Sequence, residues 1–146
     1  MRIEKGHVTG NELNGTTTAA NLGMGRMVST KKDSIGAVLS RREGLNTGED
    51  LRAVGVKPLD PTQRVPAGAH LMAADGPVDA ARDQGYLTSA CYSPNLGHHI
   101  ALAFLKDGAN RMGETMRVVS PLTDEVVDVE ICSPHFIDPE GERLRA

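Results

Sequence analysis

From residue 51 onward, short apolar runs alternate with turn signals. Residues 53–57 form one run, stopped by Pro58 and Pro61, and residues 69–73 form a second, entered through Pro66 and Gly68. Residues 85–92 lead into the turn Ser93-Pro94-Asn95-Leu96-Gly97. Residues 100–105 are continuously apolar, which predicts a strand buried on both faces. Residues 116–119 and 126–131 flank the turn Ser120-Pro121-Leu122-Thr123-Asp124. In the last run Val127, Val129 and Ile131 face one way while Asp128 and Glu130 face the other, as in a half-buried strand. Short strands at this spacing predict an antiparallel barrel or sandwich, with residues 76–83 as an exposed loop.

The first fifty residues read differently. They are polar and rich in Gly and Thr, and they carry two helix signals. Residues 16–22 predict a short helix closed by Gly23 at the C′ position. Asp33 is a candidate N-cap for a second helix, with Ile35, Val38 and Leu39 on one face and an end near Gly44. This stretch holds too few apolar residues to close a core of its own. The expectation is therefore an α+β chain. Residues 1–50 would be part of a second domain cut short at Met1, and residues 51–146 a small antiparallel β-barrel, jelly-roll-like in kind.

Composition narrows the chemistry. Aromatic residues make up only 3% of the 146, so the core must be built from Val, Leu, Ile, Ala and Met. A net charge of −3 gives no electrostatic footprint for nucleic acid or an anionic membrane. No apolar run approaches the roughly 20 residues of a membrane span, and the N-terminus lacks an apolar signal region, so a cytoplasmic protein is expected. There is no G-x-x-x-x-G-K-[ST]; Gly23-Met24-Gly25 lacks the third glycine of a dinucleotide cradle; and no nucleophile elbow is present. Cys132-Ser133-Pro134-His135, with His98, His99 and Cys91, could supply four metal ligands. Pro134 inside the short spacing and the lack of a second paired motif argue against that, so Cys91 and Cys132 are expected as reduced thiols without metal. His98 and His99 are expected to open a strand, one ring inside and one outside.

Arg2 and Glu4 would share a face if residues 2–6 form a strand. A solvated ion pair is one reading. The other is recognition of a heterocycle with adjacent N–H donors, such as a pterin, by the two oxygens of an ionised carboxylate.

Taken together, several segments resemble the aminomethyltransferase, or glycine-cleavage T-protein, superfamily. Arg2-Ile3-Glu4-Lys5-Gly6 looks like its R-x-E-x-G strand, and Thr17-Thr18-Ala19-Ala20-Asn21-Leu22-Gly23-Met24-Gly25 like its T-T-x-x-x-x-G-L-G segment. Lys32-Asp33-Ser34-Ile35-Gly36 looks like its K-x-F-I-G helix start. Gly85-Tyr86-Leu87-Thr88-Ser89 and Ser93-Pro94-Asn95-Leu96-Gly97 look like its G-x-V-T-S and S-P-x-L-G hairpin. Glu4-Lys5-Gly6-His7-Val8 and the ending Ser133-Pro134-His135-Phe136-Ile137-Asp138-Pro139-Glu140-Gly141 are similar to the sarcosine oxidase alpha branch.

The resemblance implies that Glu4 holds the pterin of tetrahydrofolate, with Arg2, Arg26 and Lys32 as candidate basic contacts. The family's catalytic aspartate would lie upstream, leaving no catalytic residue in this chain. The resemblance further implies that, in the complete enzyme, sarcosine would be oxidised at a flavin and tetrahydrofolate would capture the one-carbon unit as 5,10-methylenetetrahydrofolate. FAD, FMN and NAD would bind elsewhere in a heterotetramer, and the partners would be the remainder of the alpha subunit and the other subunits. An aminomethyltransferase of glycine cleavage and a non-catalytic interaction barrel are the alternatives. Two departures bear on the basic contact: Ser34 stands where the family usually has Phe, and Ala37 where a basic residue is common. Lys31, Lys32 and Arg26 are the possible substitutes.

Overall fold

A computed structural model describes residues 1–29, 31–45 and 51–146. The domain boundary expected at residue 50 lies outside the described residues. Six strands form: β1 (Leu51–Pro58), β2 (His70–Ala73), β3 (Gly85–Ser93), β4 (His98–Lys106), β5 (Thr115–Ser120) and β6 (Glu125–Cys132). Five of them contain the run that predicts them, and β2 begins one residue inside its run. They close in the order β1-β4-β3-β2-β5-β6, with β6 back on β1 and every pairing antiparallel. The result is one closed barrel, not a jelly-roll pair of sheets. Closure leaves no unpaired sheet edge to cover.

The barrel interior is filled by aliphatic side chains from every strand, including Val54, Leu71, Leu87, Leu105, Val118 and Val129. β6 alternates as expected, with Val127, Val129 and Ile131 buried and Asp128 exposed. β4 is buried along the whole of residues 100–105. Ala101, Ala103 and Leu105 point into the barrel. Ile100 and Leu102 point outward and pack with Ile3, Leu96 and Phe136. The outer face of β4 is therefore covered by the two ends of the chain.

That covering needs close backbone approach. A Cβ at Gly55 on β1 would run into the Ser133 carbonyl and the Phe136 ring, so only glycine lets the C-terminal segment lie this close. The loop of residues 74–82 is exposed apart from its tether: Asp79 caps the 3₁₀ turn Ala80–Arg82 by accepting from the Ala81 amide at 3.0 Å. His98 does open β4; both histidines are half-buried, and the alternation of the strand puts His99 on the face of Ala101 and Ala103 and His98 on that of Ile100 and Leu102.

The two expected N-terminal helices do not form, and the described residues are mostly β rather than α+β. The α-helix among them is α1, Glu142–Arg145. Around residues 14–18, hydroxyls and amides bond locally: Asn14 Oδ1 accepts from the Thr16 amide and hydroxyl at 2.9 and 2.6 Å, and Asn21 Oδ1 from those of Thr18 at 2.7 and 2.6 Å. Such bonds compete with helix hydrogen bonding. Gly23 does take the left-handed conformation, at φ 74°, but it ends a single turn. In the second segment Gly36 lies at φ 95°, which breaks a helix from Asp33, and 3₁₀ turns Leu39–Arg41 and Glu43–Leu45 follow. Ile35 and Val38 stand 107% and 79% exposed, so no face is buried to stabilise a helix.

Two outcomes follow. Amide hydrogen exchange is expected to be slower in residues 100–105 and 126–131 than in residues 8–18; equal protection would show that the barrel is not the more stable unit. Gly55→Ala is expected to destabilise the protein by about 1–3 kcal/mol in urea unfolding, an overpacking cost. Gly10→Ala, whose added Cβ meets nothing within 4 Å, is the near-neutral control.

Candidate functional site

The N-terminal segment is laid against the outer face of β3 and β4, and a bulge in β3 creates its docking surface. The β3–β4 register shifts between Leu87 and Ser89. Before the shift Leu87 points into the core; after it Ser89 lies opposite Leu102, and Cys91 opposite Ile100, on the outer face. The extra residue, Thr88, donates its hydroxyl to the Leu102 carbonyl at 3.1 Å and accepts from Asn11 Nδ2 at 3.1 Å on its own carbonyl. Bulges re-aim side chains in this way. Ser89, Cys91 and Ser93 thus share one face.

Both serines meet buried glutamates. Ser93 donates to Glu4 Oε1 at 2.5 Å, and Asn95 Nδ2 donates to the same oxygen at 2.9 Å. Glu4 Oε2 stands 3.0 Å from the Met1 ammonium. Ser89 donates to Glu12 Oε1 at 2.8 Å, and the Thr9 amide donates to Glu12 Oε2 at 2.7 Å. Glu4 is only 3% exposed and Glu12 only 2%. Hydrogen bonds from Ser93 and Asn95, then that from the Met1 ammonium, pull the Glu4 pKa down to about 2. Burial opposes ionisation of Glu12, but the Thr88, Thr9 and Ser89 groups around it outweigh that and hold it below the ordinary value. Both carboxylates are therefore ionised at neutral pH.

The backbone carrying Glu4 is pinned as well. Residues 2–6 form a turn rather than the expected strand, with Gly6 N donating to Ile3 O at 2.9 Å and His7 N to Arg2 O at 3.0 Å. The Glu4 carbonyl accepts from the Phe136 and Ile137 amides, both at 3.0 Å. Lys5 Nζ reaches the Asp138 carbonyl at 2.7 Å and its carboxylate at 3.3 Å. Gly6 sits at φ 69°, and a Cβ there would come within 2.5 Å of the Pro134 carbonyl. Beside this cluster opens a cleft of about 440 Å³ lined by Asn95, Leu96, Phe136, Ile137, Asp138 and Arg143.

The Arg2–Glu4 ion pair considered from sequence is replaced by another. In the turn, Arg2 reaches Ser89 Oγ at 2.9 Å and the His7 carbonyl at 3.0 Å, and it lies 3.7 Å from Glu12 Oε2. Arg26, in the 3₁₀ turn Gly25–Met27, and Lys32 are exposed; neither shares a hydrogen bond or ion pair with Glu4 among the described residues. Glu12, Ser89, Ser93 and Asn95 were not singled out as site residues. Ser89, Ser93 and Asn95 carried two signals, their place in the hairpin motifs that resemble the family and the i, i+4 spacing of the serines on a single strand, and Glu12 carried none. Cys91 and Cys132 are free thiols, each with its pKa raised by burial, Cys132 to about 11. Among the described residues no three His, Cys, Asp or Glu side chains converge as metal ligands, and no helix there is long and apolar enough to cross a membrane.

A closed six-stranded barrel, strapped on its outer face by a segment that presents an ionised carboxylate, defines a barrel domain that works with flanking chain. Residues 52–138 match the family described as the glycine cleavage T-protein C-terminal barrel domain, and the chain belongs to that family. The sarcosine oxidase subunit alpha of Rhizobium meliloti (strain 1021) is 47% identical over 145 residues, covering 99% of this chain and 15% of that protein. The sarcosine oxidase subunit alpha of Corynebacterium sp. (strain U-96) is 37% identical over 147 residues, with 98% and 15% covered. The chain thus spans about 15% of the length of these curated relatives. The crystal structure of the glycine cleavage system aminomethyltransferase T from Bartonella henselae superposes with a TM-score of 0.72 at 22% identity, covering 94% of this chain and 37% of that one, a likeness of fold.

Glu4 makes stability depend on acid. Its folded pKa of about 2 lies below the ordinary 4.5, so its contribution is complete above about pH 4.5 and is lost as pH falls towards 2. Thermal melting from pH 6 to pH 2 is expected to fall more steeply for the wild type than for Glu4→Gln; parallel curves would show that Glu4 is not held ionised by the fold.

Proposed function

We propose that this chain is the C-terminal part of a sarcosine oxidase alpha subunit and that Glu4 helps to bind tetrahydrofolate there. The observation that carries this reading is a carboxylate that is almost fully buried and yet ionised, held by two neutral donors on a single oxygen. A structural carboxylate would be expected to fill its acceptor sites from the protein. Among the described residues Oε2 meets the Met1 nitrogen at 3.0 Å, an amide rather than an ammonium in the longer subunit, so Glu4 keeps acceptor capacity on that oxygen. An N–H donor edge of a reduced pterin has the complementary chemistry, and the bond would be charge-assisted.

On this reading residues 1–50 belong with a folate-binding domain, and residues 51–146 are the barrel that braces it. Arg26 and Lys32, exposed and without a bond to Glu4, remain the candidate basic contacts, whereas the Arg2 guanidinium is engaged by Ser89, His7 and Glu12. Tetrahydrofolate, when bound, would supply the amine nitrogens that take up the one-carbon unit from oxidised sarcosine as 5,10-methylenetetrahydrofolate. This chain's residues hold and orient it. FAD, FMN and NAD are assigned to other parts of a multi-subunit assembly, with the rest of the alpha subunit and its companion subunits as partners. The near-complete alignment with the two sarcosine oxidase alpha subunits supports the oxidase over a glycine-cleavage enzyme.

Glu4→Ala in the full assembly is expected to weaken tetrahydrofolate binding by at least roughly tenfold, the loss of one charge-assisted hydrogen bond. Sarcosine oxidation at the flavin should persist, and the product should shift from methylenetetrahydrofolate towards free formaldehyde. Calorimetry and the product ratio at limiting folate check this; an unchanged affinity and ratio would leave the barrel and its strap a structural module.

A further inference from the structure

We infer that Ser93 and Asn95 are positioning residues: they clamp Oε1 of Glu4 so that hydrogen bonds from a ligand fall on Oε2. This rests on the reading of Glu4 as a pterin contact, and it changes that contact from two oxygens to one. A carboxylate oxygen has about two lone-pair sites. Both sites on Oε1 are taken, by the Ser93 hydroxyl and the Asn95 amide. A donor edge arriving at Glu4 therefore cannot lie evenly across both oxygens without displacing one of these donors.

The clamp is itself held. Ser93 is fully buried, and its Oγ accepts from the Leu96 amide at 3.2 Å, which directs its single hydroxyl proton at Glu4. Its carbonyl accepts from the Gly97 amide at 2.9 Å, where Gly97 closes the β3–β4 hairpin at φ 75°. Glu4 is fixed from the other side through its own carbonyl, on the Phe136 and Ile137 amides. Rigid elements thus hold both ends of the side chain, as a precise contact requires.

The clamp is also neutral. On Oε1 the hydroxyl and amide donors favour the carboxylate form without themselves bringing a cation. The charged and titratable groups around Glu4 are consistent with this. Arg2 is turned to Ser89 and Glu12, and Lys5 is paired with Asp138. Cys91 on β3 is held as a neutral thiol by burial. His98, across the strand pair from Ser93, has its Nδ1 on the His99 carbonyl at 2.7 Å. Among the described residues the contact on Oε2 is the Met1 nitrogen at 3.0 Å, which in the longer subunit proposed above would be a peptide nitrogen and not a free ammonium.

The test uses the full assembly with Asn95→Ala, Ser93→Ala and the double variant, beside Glu4→Gln and the conservative Ser93→Thr. Asn95 is exposed, so its truncation should leave the fold intact, and melting curves verify each protein. Affinity for tetrahydrofolate is measured from pH 4 to pH 8 and compared with Glu4→Gln, which removes the ligand's own titration from the comparison. The ¹³C-detected titration of the Glu4 carboxylate gives a readout without ligand. The double variant is expected to bind roughly tenfold more weakly at pH 7, Asn95→Ala to show a smaller loss, and Ser93→Thr to bind like the wild type. In the double variant the Glu4 titration should rise from its lowered position towards the ordinary range. Its binding should then weaken as pH falls towards 4, where the wild type stays flat. Wild-type affinity and pH profile in the double variant, with Glu4→Gln weakened, would overturn the positioning role and leave the pterin reading standing. Full affinity in Glu4→Gln would defeat the pterin reading, and the positioning role with it.

Discussion

A strand that is apolar on both faces must be covered twice, and the arrangement of this chain follows from that constraint. The interior side of β4 is satisfied once the barrel closes. Its outer side, Ile100 and Leu102, is not, and a closed barrel has no second sheet to offer. The ends of the chain supply the cover through Ile3 and Phe136. Burying a side chain of this size is favourable by about 1.5–3 kcal/mol, enough to hold a segment with little regular structure of its own. Ile3 cannot sit on β4 without bringing Glu4 to the β3–β4 hairpin. The place of the carboxylate is thus set by a hydrophobic demand one residue away.

Two glutamates enter the protein this way, and their surroundings differ in a manner that separates roles. Glu12 is met by the Thr9 amide and hydroxyl, by Ser89 and by Arg2, so both its oxygens are served from within the chain. Such a carboxylate braces a turn. Glu4 has two donors crowded on Oε1, whereas the contact on Oε2 among the described residues is the Met1 nitrogen, a peptide nitrogen in the proposed longer subunit. Leaving a buried charge part-served is costly unless something else meets it. On the proposed reading, that asymmetry makes Glu4 the ligand contact and Glu12 the brace. The bulge at Thr88 serves both, because without it Ser89 would fall on the same face as Leu87.

The barrel was legible in the sequence because its information is local. Period-two alternation in residues 126–131, the unbroken run 100–105 and the Pro- and Gly-marked turns each read correctly within a window of ten residues. The N-terminal half misled for the converse reason. Ile35, Val38 and Leu39 have helical spacing, but spacing stabilises a helix only when a partner covers the face, and Gly36 spends its freedom on a left-handed bend. Glu4 could be singled out by resemblance, but its environment could not be read. Ser93 and Asn95 lie 89 and 91 residues further along the chain, and no periodicity reaches that far.

The family match covers residues 52–138, which include Ser93 and Asn95 but not Glu4 or Glu12. The alignment with the sarcosine oxidase alpha subunits runs through both parts. The clamp therefore crosses from the family barrel to the segment ahead of it, joining the two by short hydrogen bonds as well as by the packing of Ile3. Hydrophobic cover alone is non-directional, so the contact of Ile3 with Ile100 and Leu102 does not by itself orient the neighbouring carboxylate. Hydrogen bonds are directional, since they weaken steeply with distance and angle. The apolar contact holds the segment on the barrel, and the serine–glutamate bonds determine where on it each carboxylate rests. On the proposed reading the barrel contributes to a site in this way, by fixing the oxygen atoms of a neighbouring segment to within the tolerance of a hydrogen bond.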